Sequence, residues 1–300
     1  MSGSMNLQKQ YRVGRLPYRI LFVNEENNDE LIPSSKPFET DVDDSDVLFT
    51  LTVDDSFRPE KKGDEIGQFD CGGNNHGVYI LEDGSYQILV SDFRGRKCCL
   101  LQANKDFSEG TVALRGDWTM RNFGLNNSLM MMYAFASATK DTLLMHASVI
   151  RKDATGYLFL GVSGTGKSTH TSNWLKYIDG TDLMNDDNPV VRFVDGKTYV
   201  FGSPWSGKTP CYKNTEAPVG GFVQLKQAPF NKIRRMEVLE AFASLLPSCS
   251  VMKWDRRVYG GACDTVTHIL ETTPTYFLEN LPDEAAVQLS YSTLTSGKNK

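Results

Sequence analysis

A chain of 300 residues, 40% of them hydrophobic and 23% charged, has the length and apolar content to bury a substantial core. Its net charge of -5, from 32 basic and 37 acidic residues, argues against a general nucleic-acid binder. The six cysteines form no C-x-x-C pair, no apolar run approaches the roughly 18 residues of a membrane span, and no apolar leader opens the chain; a cytoplasmic protein with reduced thiols and no membrane partner is expected.

Residues 1–120 read as a β-rich region. The runs 18–23, 47–53, 78–81, 86–90 and 111–114 have strand composition, and Glu82-Asp83-Gly84 is a hairpin turn between two of them. Residues 24–46 read as a solvated loop, because Asp43, Asp44 and Asp46 lack the Gly and closing Glu of a calcium loop. The pattern changes near residue 120, where a second domain, 121–300, is expected to begin. Its first element is a helix over 125–138, with Leu125, Leu129, Met132 and Ala136 on one face. The run Met130, Met131, Met132 reads as core packing. A buried strand follows over 142–150, then the turn Asp153-Ala154-Thr155-Gly156 and a second strand over 157–160. A helix over 167–177 ends at Asp179-Gly180. Asn185-Asp186-Asp187-Asn188-Pro189 reads as a polar turn after a weak strand. A hairpin of 190–194 and 198–201 turns on Asp195-Gly196. A loop over 202–210, a strand over 219–225, a helix over 236–246, a strand over 275–278 and a helix over 283–289 complete the chain. This order lacks the βαβα alternation of a doubly wound sheet, so the predicted class is mixed α+β with mixed sheets.

One segment carries strong chemical information: Gly161-Val162-Ser163-Gly164-Thr165-Gly166-Lys167-Ser168. It fits G-x-x-x-x-G-K-[ST], a pattern that arises by chance in such a chain on the order of one time in a hundred. A predicted strand precedes it and a predicted helix follows, as a phosphate-binding loop requires. Its glycines, Gly161, Gly164 and Gly166, let backbone N–H groups turn inward around phosphate oxygens, with Ser163 and Thr165 between them. The helix start adds its positive dipole end. Lys167 would reach the β- and γ-phosphates, and the hydroxyl of Ser168, with Thr169 beside it, is suited to Mg²⁺. ATP with Mg²⁺ is the expected ligand pair.

Phosphoryl transfer to a hydroxyl also needs a carboxylate near the metal and a base near the acceptor. Asp186 and Asp187, 19 and 20 residues after Lys167, can divide those tasks. His146 lies in a strand expected beside the strand that leads into the loop.

Together, His146, the strand–turn–strand spacing, the loop from Gly161 to Thr169 and Asp186-Asp187 resemble the catalytic core of HPr kinase/phosphorylase. That core is shared with ATP-dependent phosphoenolpyruvate carboxykinase, and the resemblance covers about residues 125–235. It implies a phosphoenolpyruvate carboxykinase-like P-loop core following the β-rich region. It implies Lys167 and Ser168 at phosphate and Mg²⁺, Asp186 as catalytic base, Asp187 as the adjacent acid of the metal site, and His146 as an active-site histidine. It also implies an arginine after the next strand, for which Arg234 is the nearest candidate. The family's further Glu ligand has no counterpart in Gly202-Ser203-Pro204-Trp205-Ser206-Gly207-Lys208. That segment can instead bind a second anionic group through Ser206 and Lys208, with Trp205 as a wall, or form a rigid turn.

The leading expectation is an ATP-dependent kinase that phosphorylates a hydroxyl of a small molecule or a protein serine. A carboxykinase acting on oxaloacetate and a non-catalytic nucleotide-sensing module are the alternatives. The sequence leaves the acceptor open and is compatible with a homo-oligomer.

Overall fold

The computed structural model describes residues 7–41, 46–69, 76–207 and 209–296. Lys208, Cys71, Asp43 and Asp44 lie outside the described residues. The chain divides into two compact units, Met1–Ser137 and Ala138–Lys300. No described helix is long and apolar enough to cross a membrane.

The first unit is an eight-stranded mixed sheet and a helix. Its strands are β1 (Leu7–Val13), β2 (Leu16–Phe22), β3 (Thr50–Val53), β4 (Asp64–Phe69), β5 (His76–Ile80), β6 (Tyr86–Ser91), β7 (Lys97–Ala103) and β8 (Glu109–Leu114), in the order β1-β2-β3-β8-β7-β6-β5-β4. Alternation drives the packing: β2 buries Tyr18, Ile20 and Phe22, and β3 buries Leu51 and Val53. The helix α1 (Trp118–Ser137) packs against β7 and β8. Its predicted stripe of Leu125, Leu129, Met132 and Ala136 is buried, with Met131, Tyr133 and Phe135 beside it. The sequence placed this helix at the head of the second domain. It falls in the first unit because nearly all of its C-terminal half is apolar and is covered by that sheet.

The second unit contains β9 (Thr142–Leu144), β10 (Ala147–Lys152), β11 (Thr155–Leu160), α2 (Lys167–Tyr177), β12 (Thr181–Asp187), β13 (Val190–Val194), β14 (Lys197–Phe201), β15 (Glu216–Gln227), β16 (Lys232–Arg235), α3 (Val238–Leu245), α4 (Arg256–Thr272), β17 (Thr275–Asn280) and α5 (Glu284–Ser296). The long strand β15 serves two sheets. Its first residues pair antiparallel with β14, which continues to β13 and β9. The rest pairs in parallel with β11 on one side and β17 on the other. The full row is β12-β10-β11-β15-β17-β16, with β10 antiparallel to both its neighbours.

Every residue of β11 is buried, as expected of a strand covered on both faces. Leu158 and Leu160 join Val149, Met184 and Phe222 in a core closed by Ala262, Val266 and Ile269 of α4. Tyr157 and Phe159 face the other way, into a core with Trp174 of α2 and Val287 and Leu294 of α5. The expected single strand over 142–150 is two strands interrupted at Met145-His146, where Met145 N–H donates to Pro189 O and His146 N–H to Ser248 O. The interruption redirects the chain just before the residues that matter chemically. One further irregularity counts: the β10–β12 ladder pairs Val149 with Asn185 but Ile150 with Leu183, which leaves Met184 as the extra residue of a β-bulge.

Candidate functional site

The loop between β11 and α2 has the backbone its glycines permit. Gly164 and Gly166 take φ of 86° and 97°, and a Cβ at either would meet nothing within 4 Å. That side of the loop is open for a ligand oxygen. No side chain caps α2, whose first backbone hydrogen bond runs from His170 N–H to Gly166 O. The N–H groups of Lys167, Ser168 and Thr169 therefore lack intrahelical acceptors and offer an anion their dipoles. The helix is fixed by its buried face, His170, Thr171 and Trp174. Thr171 also accepts a hydrogen bond from Ser148 of β10 at 3.2 Å.

Lys167 curls back onto its own loop. Its ammonium donates to Gly161 O at 2.7 Å and to His146 Nε2 at 2.9 Å. Burial holds its pKa below the ordinary lysine value, while the negative charges of Asp187 and Asp186 pull it up. An ammonium can only donate, so His146 Nε2 is the acceptor and the ring proton sits on Nδ1. Nδ1 in turn donates to Asp187 Oδ1 at 2.9 Å. A continuous chain thus runs Gly161–Lys167–His146–Asp187.

The two carboxylates reach the site on β12, across β10: Ser148 pairs with Asp186 and Ala147 with Asp187. Asp186 is buried, and the hydroxyl of Ser168 points to its Oδ1 at 3.5 Å. Asp187 is more open, and Asn188 Nδ2 donates to its second oxygen at 2.9 Å. Asp187 holds φ of 131°, which a residue with a Cβ rarely adopts. Four neighbours hold the end of β12 in place. Asn185 Oδ1 accepts from Asn188 N–H at 3.0 Å, and its amide donates to Ser203 Oγ and Trp205 O. Ser206 bridges to Asp187, and both its hydroxyl and Gly207 N–H donate to Asp186 O.

His146, Lys167, Ser168, Asp186 and Asp187, widely separated in sequence, thus meet at one place. Three expectations change. Trp205 is 5% exposed, with its backbone folded onto Ser203 Oγ, so it braces β12 and is no open wall. Ser206 spends its hydroxyl on Asp186 O and Thr209 O. Arg234 is not brought to the site at all. It lies on β16, at the opposite edge of the sheet from β12. Five strand spacings make that about 24 Å. There it forms a two-pronged pair with Glu240 and covers the ring of Phe277. Lysine or arginine alone in a sequence gives no clue to which sheet edge it will occupy. Sequence reasoning also missed Asn185, Asn188, Ser203 and Gly207. The signal for the first two was present: two Asn residues flank the acidic pair in a segment that reads as surface turn.

Among the described residues, no cluster of three or more His, Cys, Asp or Glu side chains could hold a metal ion by itself. One hydroxyl and one carboxylate side by side instead suit a Mg²⁺ that keeps phosphate and water ligands, and Ser168 with Asp186 fit that donor set. The sequence matches no protein-family model and has no significant match among curated proteins.

Proposed function

We propose that this protein is an ATP-dependent phosphotransferase that moves the γ-phosphoryl group to a hydroxyl, on a phosphoenolpyruvate carboxykinase-like P-loop core. The observation that carries this reading is the convergence of Lys167, Ser168, Asp186 and the His146–Asp187 pair at the open mouth of the glycine loop. A loop that merely bound phosphate would need neither carboxylate.

The geometry favours an exchange of roles relative to the family expectation. Asp186, buried against Ser168, would hold Mg²⁺ together with that hydroxyl, and the ion when bound would neutralise charge on the phosphates. Asp187, the more open carboxylate, would accept the proton of the incoming hydroxyl. His146 Nδ1–H and Asn188 Nδ2–H orient its two oxygens. Lys167 would leave Gly161 O for the β- and γ-phosphate oxygens, regaining in charge-assisted bonds what burial costs its ammonium.

The test is transfer of label from γ-labelled ATP to a panel of hydroxyl acceptors, together with ATP binding. The expected result is that Asp187→Asn binds ATP normally and transfers nothing, while Asp186→Asn loses Mg²⁺-dependent nucleotide affinity. Binding without transfer to any acceptor, unchanged by Asp187→Asn, would support the nucleotide-sensing alternative and sink this one.

A further inference from the structure

Beside the glycine loop lies a cavity of about 650 Å³, lined by Thr165, Gly166, Thr169 and His170 on one side and by the ends of β15 and β17 on the other. The latter contribute Gln227, Ala228, Asn280, Leu281 and Pro282. It sits outside the carboxyl ends of parallel strands, where open sheets bind ligands. Gln227 Nε2 donates to Gly164 O at 3.1 Å, which ties the rim of the cavity to the loop. The site of transfer does not use this cavity: β12 and His146 are on the other side of β11.

The lining has three properties that narrow its ligand. None of its residues is an acid, an arginine or a lysine, and burial pushes His170 down to about 4, so the imidazole is neutral. Ala228, Leu281 and Pro282 supply apolar surface for a flat ring. Two buried polar atoms on the lining residues lack partners: Asn280 Oδ1 and His170 Nδ1. Both side chains are more than nine-tenths buried. The amide of Asn280 cannot be turned over, since its Nδ2 donates to Leu281 O at 2.9 Å and an oxygen there would face an oxygen. The tautomer of His170 is fixed as well. Trp174 Nε1–H, which can only donate, lies 3.2 Å from His170 Nε2, so the ring proton is on Nδ1. The cavity therefore presents one unsatisfied acceptor and one unsatisfied donor, a state native proteins seldom leave uncompensated.

We propose that this cavity holds the base of the nucleotide and selects adenine, through Asn280 Oδ1 to the exocyclic amino group and His170 Nδ1–H to a ring nitrogen. This rests on the phosphate-binding role of the glycine loop proposed above. Guanine presents two adjacent donors that a carboxylate would satisfy, and the lining has no carboxylate. Adenine's amino group and ring acceptor complement an acceptor and a donor.

Calorimetric titration of the full chain with ATP, GTP and inorganic tripolyphosphate, each with Mg²⁺, tests this. Wild-type protein is expected to bind ATP at least tenfold more tightly than either GTP or tripolyphosphate. Asn280→Leu removes the acceptor, and Ala228→Phe fills the cavity while keeping the backbone bond from residue 228 to Asn280 O. Each should lose the preference for ATP and keep its tripolyphosphate affinity, which also reports that the loop is folded. Equal binding of ATP and GTP by wild type, or undiminished ATP preference in both variants, overturns the base site alone. Lys167→Ala should abolish binding of ATP and tripolyphosphate together. If wild type binds neither, the phosphate site is wrong and the base site falls with it.

Discussion

His170 makes the second unit sensitive to acid in a way that can be calculated. Its ring is buried among Phe159, Trp174 and Ser290, with its centroid 4.9 Å from that of Phe159. Desolvation lowers its pKa from 6.5 to about 4. Between those values the unfolded chain binds a proton that the folded chain refuses. Stability from this group is therefore complete above pH 6.5 and drains away as pH falls toward 4. Moving from pH 7 to pH 5 crosses about 1.5 units of that window, which at ~1.4 kcal/mol per unit is a loss of about 2 kcal/mol. The assay is urea unfolding followed by Trp fluorescence at pH 7 and pH 5, for wild type and His170→Phe. The variant's absolute stability is immaterial, because the comparison is between the two pH dependences and every other titrating group is shared. His170→Phe should lose about 2 kcal/mol less on acidification than wild type. Equal pH dependences would show that the imidazole is protonated without penalty, and the assignment of a neutral, buried ring would be wrong.

Three further outcomes are expected. Lys167→Ala should weaken ATP binding on the order of 10–100-fold, the worth of charge-assisted bonds to phosphate, in the same titration. Asp187→Asn should slow transfer by roughly 10²–10⁴ with little change in the Kd for ATP, in single-turnover assays. Gly207→Ala would bring a Cβ to 3.0 Å from Asp187 Cβ and 3.2 Å from Asp186 O. The displaced carboxylates should cut kcat several-fold while the KM for ATP holds, and an unchanged kcat would show that the brace on β12 is dispensable.

The local features were the legible ones. The glycine loop and α2 follow from spacing alone, since a strand, three glycines and an amphipathic helix each leave a mark within a dozen residues. The buried stripe of α1 was legible for the same reason. Asp186 and Asp187 were identified as chemistry but placed on a turn, because Asn and Asp disfavour strands. Pairing with β10 overrides that preference, a long-range effect that propensity does not carry. The helix α4 was missed because Gly260, Gly261, Thr265, Thr267 and Thr272 obscure it. Its buried Val258, Ala262, Thr265, Val266 and Ile269 nevertheless recur at helical spacing, so that signal was in the sequence. Arg234 and Trp205 illustrate the converse. Their residue types suit a binding site, but sheet order and burial decide where they go.

The extra residue at Met184 has a consequence for which lengths of chain this protein can tolerate. Below it, Thr181, Asp182 and Leu183 pair with Lys152, Arg151 and Ile150; above it, Asn185, Asp186 and Asp187 pair with Val149, Ser148 and Ala147. The bulge uncouples the two stretches. A residue gained or lost in the turn at Asp179-Gly180 can be taken up by slack at Met184, and both carboxylates keep their places. The same change between Met184 and Asp187 has no slack to draw on, and it would turn one acid away from the loop and the other toward it. Homologous chains of different length should therefore carry their insertions before this point and none after it.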